Sequence, residues 1–283
     1  MTRPRLALAT WAQRWPIADD EDELVLAALR AAGAIAERAV WDQDDIDADA
    51  CVVRTTWDYF ERRAEFLEWA DRVAAARPVW NSPVVLRWNA HKGYLIELEQ
   101  RGIPVPPMAM LRPNEDVLAV IRDRGWSRVI VKPAVGVGAL RTLVAYADEG
   151  DRLRAHVADL AQDTDVIVQD YLESIHDRGE CSLVFFEGVL SHAVRKVPAA
   201  GDYRAHPYWG ATVEPIVPSP DQVEAGRRAL AVVPEPALYA RVDLLAGADG
   251  MPALIELELI EPYLFLEPAS ADRFARAILT RLS

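Results

Sequence analysis

The sequence predicts a chain of the α/β and α+β classes, which opens with a parallel sheet and continues as an α+β block. In residues 1–80, short apolar stretches alternate with stretches of helical spacing, as is typical of a parallel sheet flanked by helices. In residues 81–172, two strands enclose a glycine-rich loop, and in residues 173–283 two acid-bearing strands precede a closing helix. We therefore expect three units with these boundaries.

The elements of the first unit follow one another without long linkers. They are predicted as strands at 5–11, 34–41, 49–55 and 78–80, with helices at 20–32 and 61–76. Ligands of parallel sheets bind beyond the carboxyl ends of the strands, which draws attention to Thr10, Trp11 and the segment 54–59. Aromatic residues that merely cover a loop are at least as common an explanation for these positions.

The other two units are predicted from periodicity and from turn residues. The helices are expected at 90–101, 115–124, 149–161, 220–233 and 269–282. The strands are expected at 128–133, 141–147, 166–172, 182–186, 189–194, 239–245 and 253–260, with prolines keeping 103–107 extended.

The composition excludes several classes of partner. Asp and Glu outnumber Lys and Arg by 44 to 31, and no dense basic block is present, so we expect no nucleic-acid partner. No apolar run has the length of a membrane span, and residues 1–11 lack a signal-peptide pattern, which predicts a cytoplasmic protein without a membrane partner. Cys51 and Cys181 are far apart in apolar stretches and are expected to be reduced.

Two acidic residues near the end of the chain give the strongest chemical indication. Strand alternation places Glu256 and Glu258 on one face, and Ile255, Leu257 and Leu259 on the other. If the preceding strand pairs with this one in antiparallel fashion, Asp243 lies opposite the glutamates, with Arg241 on the same face. Close carboxylates repel one another unless a cation lies between them, so the pattern predicts a Mg²⁺ site. Solvent-exposed acids on a strand are the alternative.

Basic residues also occur at suggestive positions. Lys132 ends an apolar strand directly before Gly136 and Gly138, and such a loop can present backbone N–H groups to phosphates. A glycine hairpin beside an ordinary lysine is the commoner explanation. Lys196 and Arg204 flank Gly201-Asp202-Tyr203, where compensating surface charge is the alternative.

Taken in order, these elements resemble the ATP-grasp superfamily from about residue 81 onwards, preceded by a Rossmann-like pre-ATP-grasp domain. The resemblance implies that Lys92, Lys132 and the loop with Gly136 and Gly138 contact ATP. It assigns adenine and ribose to Gln169, Asp170, Tyr171, Leu172 and Glu180. It assigns catalysis to Lys196, Arg204 and Arg241, and Mg²⁺ binding to Asp243, Glu256 and Glu258. Many members have Asn where Glu258 stands, which puts the metal occupancy and the substrate preference of this site in question.

The strings at 53–59, 86–89 and 256–262 are most similar to a stand-alone group that includes the O-ureido-serine cyclo-ligase of D-cycloserine biosynthesis. The resemblance implies an ATP-dependent ligase that converts the carboxylate of a small molecule to an acyl phosphate, which a nitrogen of the same molecule attacks. Intermolecular ligation of amino acids or peptides is the second candidate, and an ATP-binding regulatory protein without catalysis is a third. A dinucleotide oxidoreductase is disfavoured because no Gly-x-Gly-x-x-Gly turn follows the first strand. A homodimer is left open.

Overall fold

The computed structural model of the chain describes residues 3–13, 16–43 and 45–282, except for the side chains of 16–20. These residues form three sheets, of which one is parallel and two are antiparallel. None of the helices found in the described ranges has the length and apolar character needed to cross a membrane. The predicted combination of α/β and α+β classes is thereby confirmed.

The first sheet has the strand order β2-β1-β3-β4, and all of its strands are parallel. The strands are β1 (Arg5–Thr10), β2 (Ile35–Val40), β3 (Ala50–Thr55) and β4 (Val79–Trp80), and the helices between them are α1 (Pro16–Ala31) and α2 (Arg63–Ala74). Every residue of β3 is buried, as expected for a strand that helices cover on both faces.

The second sheet has the order β5-β8-β6-β7. Its elements are α3 (Pro83–Asn89), α4 (Tyr94–Gln100), β5 (Met108–Met110), α5 (Val117–Arg124), β6 (Arg128–Pro133), β7 (Leu143–Tyr146), α6 (Gly150–Leu160) and β8 (Val166–Asp170). The predicted helix at 90–101 was wrong in its start, because the amide of Lys92 donates to the carbonyl of Ala134 at 2.7 Å. That bond holds Lys92 in the turn between α3 and α4, beside the glycine loop.

The third sheet has the order β11-β10-β9-β12-β13 and is antiparallel. Its strands are β9 (Glu180–Phe186), β10 (Val189–Val197), β11 (Thr212–Ile216), β12 (Tyr239–Ala246) and β13 (Pro252–Glu258), accompanied by α7 (Ser174–Asp177), α8 (Pro220–Leu230) and α9 (Pro268–Thr280). Sequence periodicity missed β11 because it is an exposed edge strand without apolar alternation.

The strands β12 and β13 separate an apolar layer from a polar one. Val242, Leu244, Leu254 and Leu257 are buried in one apolar cluster with Ala229 of α8. The polar residues between them point to the other face, as alternation predicts. A bulge interrupts this pattern, because Asp243 pairs with Glu256 whereas Leu244 pairs with Leu254. The extra residue, Ile255, lines a cavity together with Glu256, so its predicted position on the opposite face was wrong.

Candidate active site

The polar face of β12 and β13 borders a cavity of about 720 Å³. Strand residues of the third sheet line it, together with segments that follow strands of the other two sheets. Among the predicted site residues, its wall contains Lys92, Gly136, Gly138, Glu180, Lys196, Arg204, Arg241, Asp243, Glu256 and Glu258. The first unit contributes Trp11, Trp57 and Tyr59 to the same wall. The fold therefore brings together side chains that lie far apart in the sequence.

A smaller cavity of about 160 Å³ adjoins the large one, since Lys92, Glu180, Arg204 and Glu256 line both. Its remaining wall is formed mainly by the second sheet and by the segment after β8. It contains Lys132, Gln169, Tyr171 and Leu172 of the predicted residues, together with Ile130, Ile175, Leu245 and Ile255. Asp170 lines neither cavity, although burial raises its pKa.

Three carboxylates converge at the junction of the two cavities. Antiparallel pairing sets Asp243 opposite Glu256, and Arg241 opposite Glu258. Asp243, Glu256 and Glu258 each offer an oxygen atom, and these three atoms lie within 4.8 Å of one another. Hard oxygen donors at this spacing suit a divalent cation such as Mg²⁺. The donor set therefore fits the predicted metal.

Basic side chains neutralise these carboxylates. Arg241 donates to Asp243 at 2.8 Å and also to Glu258, while Lys92 lies 3.1 Å from Glu256. Burial alone would raise the pKa of Asp243, but Arg241 and Lys196 hold that pKa well below its usual range. Burial raises the pKa of Glu258 to about 7 despite Arg241, since the other two carboxylates also raise it.

Two lysines lie beside the glycine loop. The ammonium of Lys92 donates to the carbonyl of Gly136 at 2.6 Å, in addition to its ion pair with Glu256. For the ammonium of Lys132 the structure records neither a hydrogen bond nor an ion pair to a described residue. Burial lowers the pKa of Lys132 to about 8. Glu256 and Glu180 oppose this shift without forming an ion pair with the ammonium. A phosphate in the smaller cavity would supply an anion in direct contact.

The smaller cavity suits a heteroaromatic base. Gln169 is 2% exposed, and its Oε1 atom lacks a hydrogen-bond partner among the described residues. Apolar side chains form much of the surrounding wall. A buried amide oxygen calls for a donor, which the exocyclic amino group of adenine can supply between apolar walls. Of the predicted hinge residues, Gln169, Tyr171 and Leu172 line this cavity, whereas Asp170 does not.

Glu180 was assigned to the ribose by resemblance, and in the structure it faces Lys196. The two residues are register partners at the start of β9 and the end of β10, and their side chains form a buried ion pair. Burial raises the pKa of Glu180 to about 7, although Lys196 opposes this shift. Lys196 also lies 3.6 Å from Asp243, so it connects the Glu180 position to the carboxylate cluster.

Arg204 belongs to a loop at 198–211 that closes over the cavity. Its guanidinium forms a bidentate pair with Asp202 and stacks 3.7 Å from the centre of the Trp209 ring. The indole of Trp209 donates to the carbonyl of Gly138 at 3.3 Å, and Tyr203 donates to that of Thr142 at 2.9 Å. The loop is therefore attached at two points to the stretch between β6 and β7, which contains the glycine loop. Trp209 was not among the predicted site residues.

Arg54 belongs to the segment 54–59, for which ligand binding was considered. In the structure it stabilises the fold and lines neither cavity. It is fully buried and pairs with Glu21 at 3.3 Å and Asp22 at 3.2 Å. It also donates to the carbonyl of Pro262, which ties β3 and α1 to the segment after β13. Thr10 is buried and lines neither cavity, whereas Trp11 and Trp57 do line the large one.

Two further residues on the wall of the large cavity, Asn89 and Glu261, were not among the predicted site residues. Asn89 at the end of α3 bonds the backbone of β13 and its extension, donating to Leu257 at 2.7 Å and accepting from Leu259 at 2.9 Å. Glu261 lines the large cavity three residues beyond Glu258. Both residues lie in the segments 86–89 and 256–262, on which the resemblance to the stand-alone group was based. A sequence pattern, however, does not show which side chains line a cavity.

Comparisons with known proteins cover both parts of the chain. Residues 6–81 match the family model of the N-terminal domain of D-cycloserine synthetase DcsG, and residues 90–259 match that of the RimK-like ATP-grasp domain. The chain is 35% identical over 295 aligned residues to the cycloserine biosynthesis protein DcsG of Streptomyces lavendulae, with 98% of each chain covered.

Solved structures agree with this assignment. The crystal structure of D-cycloserine synthetase DcsG matches with a TM-score of 0.85 and 34% identity, over 99% of this chain and 100% of that one. The ATP complex of D-alanine–D-alanine ligase from Bacillus anthracis matches with a TM-score of 0.72 and 16% identity, over 99% and 96%, which shows the fold alone. The predicted resemblance is confirmed. The chain belongs to the RimK-like family of ATP-grasp ligases, enzymes that use ATP and Mg²⁺ to form carbon–nitrogen bonds, within the group of the D-cycloserine synthetase DcsG.

Proposed function

We propose that this ligase is a cyclo-ligase, which phosphorylates the carboxylate of an amino acid of the O-ureido-serine type and closes a ring through a nitrogen of the same molecule. The observation that carries the proposal is the cluster of Asp243, Glu256 and Glu258, which joins the cavity of Lys132 to the large cavity beside the first unit. Full-length similarity to a D-cycloserine synthetase supports the intramolecular form, because it includes the first unit.

The nucleotide is proposed to occupy the smaller cavity, with its base against Gln169, Tyr171 and Leu172. Lys132 and Lys92 then face the phosphates, because both line this cavity beside the glycine loop. The pKa of Lys132, lowered to about 8, returns towards its usual value when an anion is bound. ATP supplies the phosphoryl group that turns a poor acyl donor into a good one.

Asp243, Glu256 and Glu258 are proposed to hold Mg²⁺. The bound ion neutralises charge on the phosphate oxygens and helps to align them for transfer. Glu258 must be ionised to serve as a ligand, and Arg241 favours this form by donating to it. Many relatives have a neutral Asn at the position of Glu258. Arg241 of the same site thus offsets the extra negative charge that Glu258 brings.

Three cations are proposed to act on the substrate. Arg204 and Arg241 line the large cavity, where their guanidinium groups can stabilise the charge on the transferring phosphoryl group and on the tetrahedral oxyanion. Lys196 holds Glu180 and Asp243 in position through its ion pairs with both, and it adds a positive charge next to them. A nitrogen of the same molecule then attacks the activated carboxyl, and phosphate leaves. The loops at 135–140 and 198–211 exclude water, which would hydrolyse the acyl phosphate.

The test is an assay of ADP release from Mg-ATP with O-ureido-serine, together with mass analysis of the product. We expect ADP and a cyclic product of lower mass than the substrate. A product that joins two molecules would establish intermolecular ligation instead.

Two glutamine substitutions test the site. Glu256→Gln should lower turnover by a factor on the order of 100 or more, since it removes a metal ligand from the transition state. The matched control is Glu214→Gln, which removes an exposed acid of β11 that pairs with Arg195. Turnover that is unchanged in Glu256→Gln would eliminate the assigned metal site.

A further inference from the structure

Glu261 occupies a fixed position on the wall of the large cavity. Its backbone carbonyl accepts a hydrogen bond from the indole of Trp57 at 2.8 Å. The next carbonyl, that of Pro262, accepts from buried Arg54, and the amide of Leu264 donates to Glu21 at 2.9 Å. The segment after β13 is therefore anchored to the first unit at Glu261 and at the residues that follow it. Such anchoring is what a binding residue needs in order to hold a ligand in one place.

The three acids of the carboxylate cluster and Glu180 each have a basic partner. Asp243 and Glu258 share Arg241, Glu256 pairs with Lys92, and Glu180 pairs with Lys196. For the carboxylate of Glu261 the structure records neither a hydrogen bond nor an ion pair to any described residue. Burial and the nearby Glu258 raise the pKa of Glu261 well above its usual range, although Lys92 and Arg241 oppose this shift. A cation bound in direct contact with this carboxyl group would therefore stabilise its charged form.

The surroundings of Glu261 are aromatic. Burial raises the pKa of the Tyr59 hydroxyl well above its usual range, and the nearby Glu261 carboxylate raises it further. The rings of Trp11 and Trp57 line the same cavity, with centroids 6.3 Å apart. Aromatic faces attract organic cations, and an acid beside them adds a full charge. The combination suits an ammonium group on a small carbon skeleton.

We infer that Glu261 binds the α-ammonium group of the amino acid substrate and makes the enzyme select amino acids over plain carboxylic acids. The inference rests on the proposed function, and it adds a determinant of specificity. In an α-amino acid the ammonium and the carboxylate are attached to neighbouring carbons of one short chain. Glu261 lies three residues beyond Glu258 on the same wall, so one small molecule can reach both Glu261 and the carboxylate-activating cluster.

The experiment compares O-ureido-serine with its des-amino analogue, in which hydrogen replaces the ammonium group. Calorimetry measures the binding of each to the wild-type enzyme, which requires no turnover. We expect the wild type to prefer the amino acid by a factor on the order of 10–100, the range of a charge-assisted hydrogen bond. In Glu261→Gln this preference should disappear, and KM for the amino acid should rise by the same factor while KM for ATP stays within about twofold. The matched control is Glu61→Gln, which changes an exposed acid that also lines this cavity. This variant should prefer the amino acid over its des-amino analogue as strongly as the wild type does.

Several results would overturn the inference. Equal binding of the two compounds to the wild type, or binding of neither, would do so without any variant. A higher Mg²⁺ requirement in Glu261→Gln with an unchanged preference would assign this residue to the metal. A failure of the cyclo-ligase proposal gives a different result. In that case no cyclic product forms, but the wild type still binds the amino acid more tightly than its des-amino analogue. Thermal unfolding of Glu261→Gln verifies that the variant is folded.

Discussion

Arg241 and Glu258 face each other across β12 and β13, and the guanidinium that pairs with Glu258 also holds Asp243. One cation thus neutralises two of the three carboxylates that are proposed to bind magnesium. The third, Glu256, relies on Lys92. Assembly of the site therefore depends on buried ion pairs, in which the loss of one partner leaves its opposite charge uncompensated.

Arg241→Met should lower the free energy of unfolding by about 3–5 kcal/mol, because it leaves Asp243 and Glu258 without their main counter-charge. Divalent cations should restore part of this loss, since they can take the place of the guanidinium. Thermal unfolding with and without Mg²⁺ or Mn²⁺ measures both effects. Arg195→Met, which removes a half-exposed partner of Glu214, is the control and should change stability by less than about 1 kcal/mol. Equal stability of the two variants would contradict the structure of the site.

Trp209→Ala should uncouple ATP consumption from ligation. The substitution removes the bond to the carbonyl of Gly138 and the stacking surface of Arg204, so the loop at 198–211 loses one of its two attachments over the cavity. Water then reaches the acyl phosphate, and the ratio of ADP to ligated product should rise several-fold. Trp209→Phe keeps the stacking and should give an intermediate ratio. A ratio that stays at the wild-type value in both variants would show that this loop does not exclude water.

His206→Asn should flatten the dependence of stability on pH between about 4 and 6.5. Burial, together with the charges of Arg241 and Lys196, lowers the pKa of His206 to about 4, against about 6.5 for an unperturbed histidine. Because the unfolded chain binds more protons in this window, the free energy of unfolding falls as the pH falls, by at most about 1.4 kcal/mol per pH unit.

The asparagine in this variant still accepts the hydrogen bond that the amide of Tyr208 donates to His206, so the local turn is preserved. Denaturant unfolding at a series of pH values gives the two profiles, and their difference isolates the histidine. Parallel profiles for wild type and variant would refute the prediction.

Arg54→Met should destabilise the fold by about 3–5 kcal/mol, because Glu21 and Asp22 remain buried without their guanidinium. The midpoint of urea unfolding reports this change. The exposed Arg227 of α8 offers a matched substitution, Arg227→Met, which should shift the midpoint little. If both variants unfold at the wild-type midpoint, the buried network does not stabilise the chain.

Much of the fold could be predicted because local patterns and tertiary environment agree. The strand β6, for example, was predicted with the same bounds that the structure has, since its apolar run ends at a lysine and a proline. The start of α4 was missed because a tertiary hydrogen bond from Lys92 to Ala134 decides it, and periodicity carries no information on such bonds. The bulge that turns Ile255 towards the smaller cavity was missed for the same reason.

The candidate site was predictable where chemistry repeats along one strand, as at Glu256 and Glu258. The site could not be predicted at positions where the role of a side chain depends on which residues it contacts in the folded chain. Arg54 and Arg241 are both arginines in apolar strands, yet only Arg241 lines the cavity. Glu261 follows the strand that carries Glu256 and Glu258. Only the structure shows that those two glutamates form ion pairs with basic residues, whereas no such pair is recorded for Glu261 among the described residues.

An ammonium group has three N–H donors, and Lys92 directs two of them to the carbonyl of Gly136 and to Glu256. One donor is left for a phosphate oxygen. A nucleotide can therefore meet this lysine while both existing bonds persist, so its arrival adds a third bond to the ammonium group that links the glycine loop to β13, and it breaks none.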